Sequence, residues 1–251
     1  MDERQNSGDT ESSGSLAAKL DNFWYHYKWH TIITLFVIFV ISVCSIQCAG
    51  NTDYDVQILY AGNHAFGRTS KDGGYSEYME AVSSFTEFSK DYDENGAVNV
   101  SFLDLYLLTK EEIAEIENDS ENNSGVDHRF LQENTTMLKN NLDMSEYYVC
   151  FLSERLFRQY SEGEDNLGRF AKIADYTDEG TEYDFVSEYG IRLSSLDIKD
   201  MPGISALDAD DTVVCIRQIS ALSSIFSKSE SERQFERSED FLRNLLAYSG
   251  N

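Results

Sequence analysis

The stretch YDVQILYA, residues 54–61, decides the fold, because its apolar side chains cluster as they do in a short buried strand. Val56, Ile58 and Leu59 supply those side chains. The segment SEYMEAVSSFTEFSKDY (76–92) follows with apolar residues at helical spacing, and AVNVSFLDLYLL (97–108) again predicts a strand. A strand–helix–strand order predicts two parallel strands joined by a crossover helix.

The same alternation continues toward the C-terminus. The further predicted helices begin after Thr109 and cover 127–142, 154–160 and 232–247, and the further predicted strands cover 147–152 and 211–219. Together these elements predict an α/β fold with a mostly parallel sheet flanked by helices in a three-layer sandwich. Within 163–210, RFAKIADY is a short amphipathic piece and YGIRLSSL is strand-like, but the sequence does not order them.

Three helix starts carry capping signals. Thr109 and Glu112 form a capping box, Ser153 precedes the helical ERLFRQY, and SESE at 229–232 predicts a second capping box. The residues predicted to face the core on helices 127–142 and 232–247 are Phe130, Met137, Leu138, Phe235, Phe241, Leu242, Leu245 and Leu246.

The N-terminal region predicts one transmembrane helix. No charged residue occurs from Thr31 to Ala49, and Trp29 to Cys48 is 20 residues, which spans about 30 Å as a helix. Lys19 and Lys28 precede this run and no Lys or Arg follows it before residue 68, which favours a cytoplasmic N-terminus. The aromatic residues expected at the interfacial end are Phe23, Trp24, Tyr25, Tyr27 and Trp29.

These features predict three regions. Residues 1–22 form a disordered cytoplasmic tail, 23–49 the transmembrane helix, and 50–251 an extracytoplasmic α/β domain. A cleaved signal peptide and a lipoprotein anchored at Cys48 fit less well, because the leader is long and partly acidic and Gln47 precedes that cysteine. A buried helix of a soluble domain also fits less well, because the run is apolar on every side.

The charge of the chain excludes one class of partner. The formal net charge is −25, and residues 51–251 hold 17 basic and 40 acidic side chains, a net charge of −23. Such a surface repels phosphate backbones, so nucleic-acid binding is not expected. Cys150 and Cys215 lie in separate predicted strands, and the sequence leaves open whether they are core thiols or a disulfide.

The stretch DYDENG, residues 91–96, begins like a calcium-binding loop. Asp91, Asp93 and Asn95 occupy the first three ligand positions, but Phe102 stands where an EF-hand needs a bidentate Glu. The alternatives are a calcium site completed from elsewhere in the fold and a turn in which Gly96 adopts the left-handed conformation. The turn is the favoured interpretation.

The loop AGNHAFGRTSKDGGY (61–75) is the best candidate for a ligand site, because it follows the first strand of an open α/β sheet. The polar residues expected to contact a small ligand are Asn63, His64, Arg68, Ser70 and Lys71. The other interpretation is a solvated loop. No nucleotide, zinc, hydrolase or dithiol motif occurs, so the sequence predicts no cofactor and a protein that is not an enzyme.

Two stretches carry a resemblance to known families. YYVCFLSERLFRQY followed by LGRFAKIADY resembles part of a bacterial extracellular solute-binding protein, and FWYHYKWHTII with DVQILYAG resembles uncharacterised single-pass membrane proteins of Gram-positive bacteria. The first resemblance implies a periplasmic-binding-like lobe, of which about 200 external residues would supply one or a reduced pair. The function expected is a membrane-anchored extracytoplasmic module that binds a protein partner in the cell envelope or serves envelope assembly. The alternatives are a small-ligand receptor using 61–75 and an envelope hydrolase.

Overall fold

A computed structural model describes residues 12–49, 53–68, 74–118, 126–144, 146–162, 168–177, 181–226 and 228–250. The side chains of 12–23, 26, 44–49, 222, 223 and 226 lie outside that description. The chain divides into two compact units, Met1–Thr52 and Asp53–Asn251.

The first unit contains one long helix, α1, over Ser12–Ala49. It begins within the segment predicted as a tail, of which residues 1–11 lie outside the described residues. The apolar side chains from Trp29 to Ile41 are exposed along α1. Among the helices of the described residues, none combines the length and the apolar character needed to cross a membrane.

The second unit is built on one six-stranded sheet. Its strands are β1 (Val56–Gly62), β2 (Val100–Tyr106), β3 (Val149–Ser153), β4 (Phe185–Ser187), β5 (Gly190–Arg192) and β6 (Thr212–Ile216). Their order across the sheet is β2-β1-β3-β6-β5-β4. β1 pairs in parallel with β2 and β3, whereas β6 is antiparallel to both β3 and β5, and β4 is antiparallel to β5. The α/β class is confirmed, but the prediction of a mostly parallel sheet is wrong, because the sheet is mixed.

The path of the chain between β3 and β6 explains why β6 runs antiparallel to β3. Among the described residues between β3 and β6, no single crossover helix returns the chain to the starting edge of the sheet; these residues form the helix Glu154–Ser161, the β4–β5 hairpin and short 3-10 turns. As a result Asp211 lies beside the end of β3, where its carbonyl oxygen accepts a hydrogen bond from the Glu154 amide at 2.6 Å. β6 therefore starts where β3 ends and must run back along it.

Helices cover both faces of the sheet. They are α2 (Glu77–Thr86), α3 (Lys110–Asn118), α4 (His128–Met144), α5 (Glu154–Ser161), α6 (Ala221–Phe226) and α7 (Lys228–Leu246). The 3-10 helices cover Ile173–Tyr176, Leu193–Ser195, Asp197–Asp200 and Ile204–Ala206. Alternation along β1 separates two cores: Ile58 and Tyr60 lie in the cluster that includes α2 and α7, and Leu59 and Ala61 lie in the cluster that includes α4 and α5.

Several local predictions meet different outcomes. The capping box at Thr109 and Glu112 is confirmed, since each residue's backbone N–H donates to the other's side chain, at 2.6 and 3.1 Å. Ser153 occupies the predicted N-cap position of α5, but its side chain makes no capping hydrogen bond. SESE at 229–232 lies inside α7, so the prediction of a capping box there is wrong. On α4, Leu138 is buried but Phe130 and Met137 are exposed, because they lie on a neighbouring stripe of the helix.

The two strand cysteines are directly opposite each other. Cys150 and Cys215 are register partners across β3 and β6, and both are free, fully buried thiols. Burial raises the pKa of the Cys215 thiol well above its usual value. The disulfide alternative is therefore not realised in this structure.

Candidate functional site

The strand order creates a crevice between the carboxyl ends of β1 and β3. From β1 the chain passes to β2 on one side, and β3 then returns on the other side of β1. In open α/β sheets such a switch point leaves an opening at the ends of the strands, where ligands bind. A cavity of about 340 Å³ opens at this edge. The residues that line it are Asn63, Leu107, Thr109, Glu112, Ser153, Arg155, Asp208 and Asp211.

Glu112 is the most firmly held carboxylate of this cavity. Its oxygens accept hydrogen bonds from the Thr109 amide at 2.6 Å and from Nδ2 of Asn63 at 2.8 Å. Burial by itself would raise the pKa of Glu112, but these hydrogen bonds and the Arg155 guanidinium hold it below its usual value. Glu112 therefore presents a negative charge to the cavity at neutral pH.

Two further carboxylates come from the turn before β6. Asp208 Oδ1 accepts backbone hydrogen bonds from Asp210 at 3.1 Å and from Asp211 at 3.3 Å, which fixes the turn. Burial, and then the neighbouring Asp208 charge, raises the pKa of Asp211. The described lining thus holds three carboxylates and one guanidinium, that of the exposed Arg155.

Only part of the predicted 61–75 site lies at this cavity. Asn63 lines it, whereas His64 lies with Nε2 3.1 Å from Oε2 of Glu77. Arg68 contacts the Asp104 carboxylate and covers the Tyr78 ring at 3.8 Å from its centroid. Ser70 and Lys71 lie outside the described residues. The structure therefore pairs His64 and Arg68 with side chains of the fold.

Six polar residues of this cavity escaped the ligand-site prediction: Thr109, Glu112, Ser153, Arg155, Asp208 and Asp211. Ser153 and Arg155 follow β3, and Glu112 was recognised only as part of a helix cap. Ligands of open α/β sheets bind at the carboxyl ends of the strands, and the ligand-site prediction used this rule only for β1. The same rule applied to β2 and β3 would have indicated Glu112, Ser153 and Arg155. Asp208 and Asp211 lie in or beside the segment that sequence patterns could not order.

The DYDENG turn acquires a third carboxylate from a distant part of the sequence. Ligand atoms of Asp55, Asp91 and Asp93 all lie within 4.8 Å of one another. Asp91 accepts hydrogen bonds from the backbone N–H groups of Asn95 and Gly96, at 3.1 and 2.7 Å.

Asp55, like Asp91, accepts hydrogen bonds from backbone N–H groups in or beside this turn. It is fully buried, and its two oxygens accept backbone hydrogen bonds from Tyr92 and Asn99, each at 2.8 Å. Gly96 has the left-handed φ of 93° that the turn interpretation requires. The carboxylates thus serve the turn, and the calcium site of Asp91, Asp93 and Asn95 stays a prediction.

No protein-family model, no curated protein and no solved structure matches this chain. The resemblances to solute-binding lobes and to single-pass membrane proteins of Gram-positive bacteria therefore stay predictions, and the function must be argued from the geometry.

Proposed function

We propose that residues 53–251 form a non-catalytic receptor domain for a small, polar, positively charged ligand. The observation that carries this proposal is the cavity of about 340 Å³ at the switch point between β1 and β3. Its size lies in the range typical of small-molecule sites.

The charge of the lining selects the ligand. Glu112, Asp208 and Asp211 outnumber Arg155, so a cationic group gains electrostatic energy and an anion loses it. Asn63 and Thr109 add an amide and a hydroxyl that orient a polar ligand. Glu112 is held by hydrogen bonds from the Thr109 amide and the Asn63 side chain, so its charge is fixed in place to attract a cation.

The test uses the full chain in lipid nanodiscs and isothermal titration calorimetry. We expect 1,4-diaminobutane to bind with one saturable site and succinate, its matched dianion, to give no binding heat above that of empty nanodiscs. Asp211→Asn weakens diamine binding about three- to tenfold, because it removes one charge from the lining. Asp210→Asn, one residue away and outside the lining, leaves binding unchanged. Equal binding of succinate, or equal weakening by both variants, contradicts the proposal.

We further propose that α1 anchors this domain to the cell membrane, with the N-terminus in the cytoplasm and the domain outside. The uncharged run from Thr31 to Ala49, the exposed apolar side chains of α1 and the position of Lys19 and Lys28 support this arrangement. The side chains of 44–49, the last part of that run, lie outside the described residues among which no membrane-crossing helix is found. Protease added to intact cells should then digest the domain. Protection of the domain in intact cells, with digestion only after lysis, contradicts this orientation.

A second candidate function, binding of a protein partner in the cell envelope, is favoured by one stripe of α4. Phe130, Met137 and Met144 are exposed by 47, 42 and 64% and are spaced seven residues apart. Residues at this spacing lie along one side of a helix, and exposed apolar stripes mark interaction surfaces. A photo-crosslinker at Met137 should capture a discrete partner in cells, whereas the same group at the exposed Gln132 should not. Equal labelling from both positions contradicts this second function.

A further inference from the structure

A larger cavity lies at the opposite edge of the sheet, where α4 and β6 end. Its volume is about 500 Å³. The described residues that line it are Leu142, Asp143, Met144, Gly168, Arg169, Arg217, Gln218, Ile219, Ser220 and Ala221. Four of these are apolar, and the others bring charge and hydrogen-bonding groups, as in many small-molecule sites.

Buried positive charge distinguishes this cavity from the rest of the acidic domain. Arg217 is 1% exposed and Arg169 is 9% exposed. Asp143 is the one carboxylate among the described lining residues, and its Oδ1 accepts hydrogen bonds from Arg169 at 2.6 and 2.9 Å. The described lining therefore holds two guanidiniums and one carboxylate, inside a domain whose net charge is −23.

The described contacts of Arg217 include two backbone carbonyls. Its guanidinium donates to the carbonyl oxygen of Leu142, in the last turn of α4, and through Nε to that of Tyr147 at 3.1 Å. It also lies 5.4 Å from the centroid of the Tyr148 ring. Burial is the main cause of the lowered pKa of Arg217. A bound anion would stabilise this buried charge further.

From this arrangement we infer that the cavity at the ends of α4 and β6 binds a monoanionic carboxylate with an apolar body. The carboxylate contacts the Arg169 and Arg217 side, where a guanidinium matches its planar geometry. The apolar body packs against Leu142, Met144 and Ile219. This site is independent of the switch-point cavity, which prefers the opposite charge.

A charge series at the edge of the cavity tests the inference without disturbing the buried arginines. Ala221 lines the cavity, is exposed and begins α6, so it tolerates a longer side chain. The probe is 2-naphthylacetate, titrated calorimetrically into the full chain in nanodiscs, with its neutral amide and inorganic phosphate as comparisons. We expect saturable binding of the carboxylate, and binding of the amide and of phosphate weaker by at least about tenfold.

The variants then report on charge alone. With Ala221→Gln as the neutral reference of matched size, Ala221→Glu should bind 2-naphthylacetate about three- to tenfold more weakly and Ala221→Lys more tightly by a similar factor. No binding of the carboxylate overturns the inference. Equal binding of the carboxylate and the amide, or equal effects of Glu and Gln at 221, overturns the role of the arginines. Phosphate binding as tight as that of the carboxylate overturns the proposed packing of an apolar body in the cavity.

Discussion

Replacing Asp55, the fully buried carboxylate among the described acidic residues, with Ala should strongly destabilise the domain. The buried carboxylate accepts hydrogen bonds from the Tyr92 and Asn99 amides at 2.8 Å each, and so ties the DYDENG turn to the start of β1. A hydrogen bond to a charged group contributes about 1.5–3 kcal/mol, and the two donors would lose their acceptor inside the protein. The expected loss in the free energy of unfolding is therefore about 3–5 kcal/mol.

The assay is thermal unfolding of the full chain in nanodiscs, followed by near-ultraviolet circular dichroism. For a domain of this size about 3–5 kcal/mol corresponds to a fall in Tm of roughly 10 °C. Asp55→Asn keeps one carbonyl oxygen and should cost about half as much. Asp53→Ala is the matched control, since the half-exposed Asp53 lies 3.7 and 3.8 Å from Arg237 and Arg233 and should contribute about 0.5 kcal/mol or less.

The same experiment separates the turn from a calcium site. If Asp55, Asp91 and Asp93 serve only the turn, millimolar calcium leaves the Tm of the unmodified protein unchanged. A rise in Tm with calcium that disappears in Asp55→Ala would assign the cluster to the cation instead. A Tm of Asp55→Ala within 2 °C or so of the Asp53→Ala control refutes the reasoning altogether.

Three further predictions concern the switch-point turn, a close backbone approach and the core thiols. Burial, and then the nearby Asp208 charge, raises the pKa of Asp211 above its usual value, so its ionised form is destabilising at neutral pH. Asp211→Asn should raise the Tm at pH 7, and the gain should vanish as the pH falls below about 3.9, the usual pKa of an Asp side chain. Gly203 has a φ of 74°, and an added Cβ would lie 2.2 Å from a backbone nitrogen of α2, so Gly203→Ala should cost more than about 3 kcal/mol. Gly96→Ala, with positive φ but open space, should cost only about 1–2 kcal/mol in the same melts. Cys150 and Cys215 should react with a thiol reagent only after unfolding, measured in a chain whose other cysteines are Ser; labelling of the native protein at the rate of an exposed thiol would contradict their burial.

Several elements were predictable from the sequence because their causes are local. The apolar residues of 54–61 and 97–108, the helical spacing in 76–92 and the capping box at Thr109 all lie within one element, and each corresponds to an element of the structure. Helix ends were less predictable: α2 stops at Thr86, although apolar residues at helical spacing continue to Phe88, which is buried all the same.

Other features depend on residues far apart in the chain. The antiparallel direction of β6, which makes the sheet mixed, depends on the path of the chain that precedes β6. Sequence patterns did not order that segment, 163–210. The same path carries Asp208 and Asp211 to the ends of β1 and β3, and it is pairing across the fold that sets Asp55 beside the DYDENG turn.

The sequence by itself determined the strands β1, β2, β3 and β6, the longer helices, the acidic net charge and the charge-free run of the first 50 residues, because periodicity, composition and charge are properties of neighbouring residues. Only the tertiary structure decided the strand directions, the two cavities and the partners of Arg68 and Arg217. Those depend on which segments meet in space, and packing and hydrogen bonding between distant segments fix that outcome only once the chain has folded.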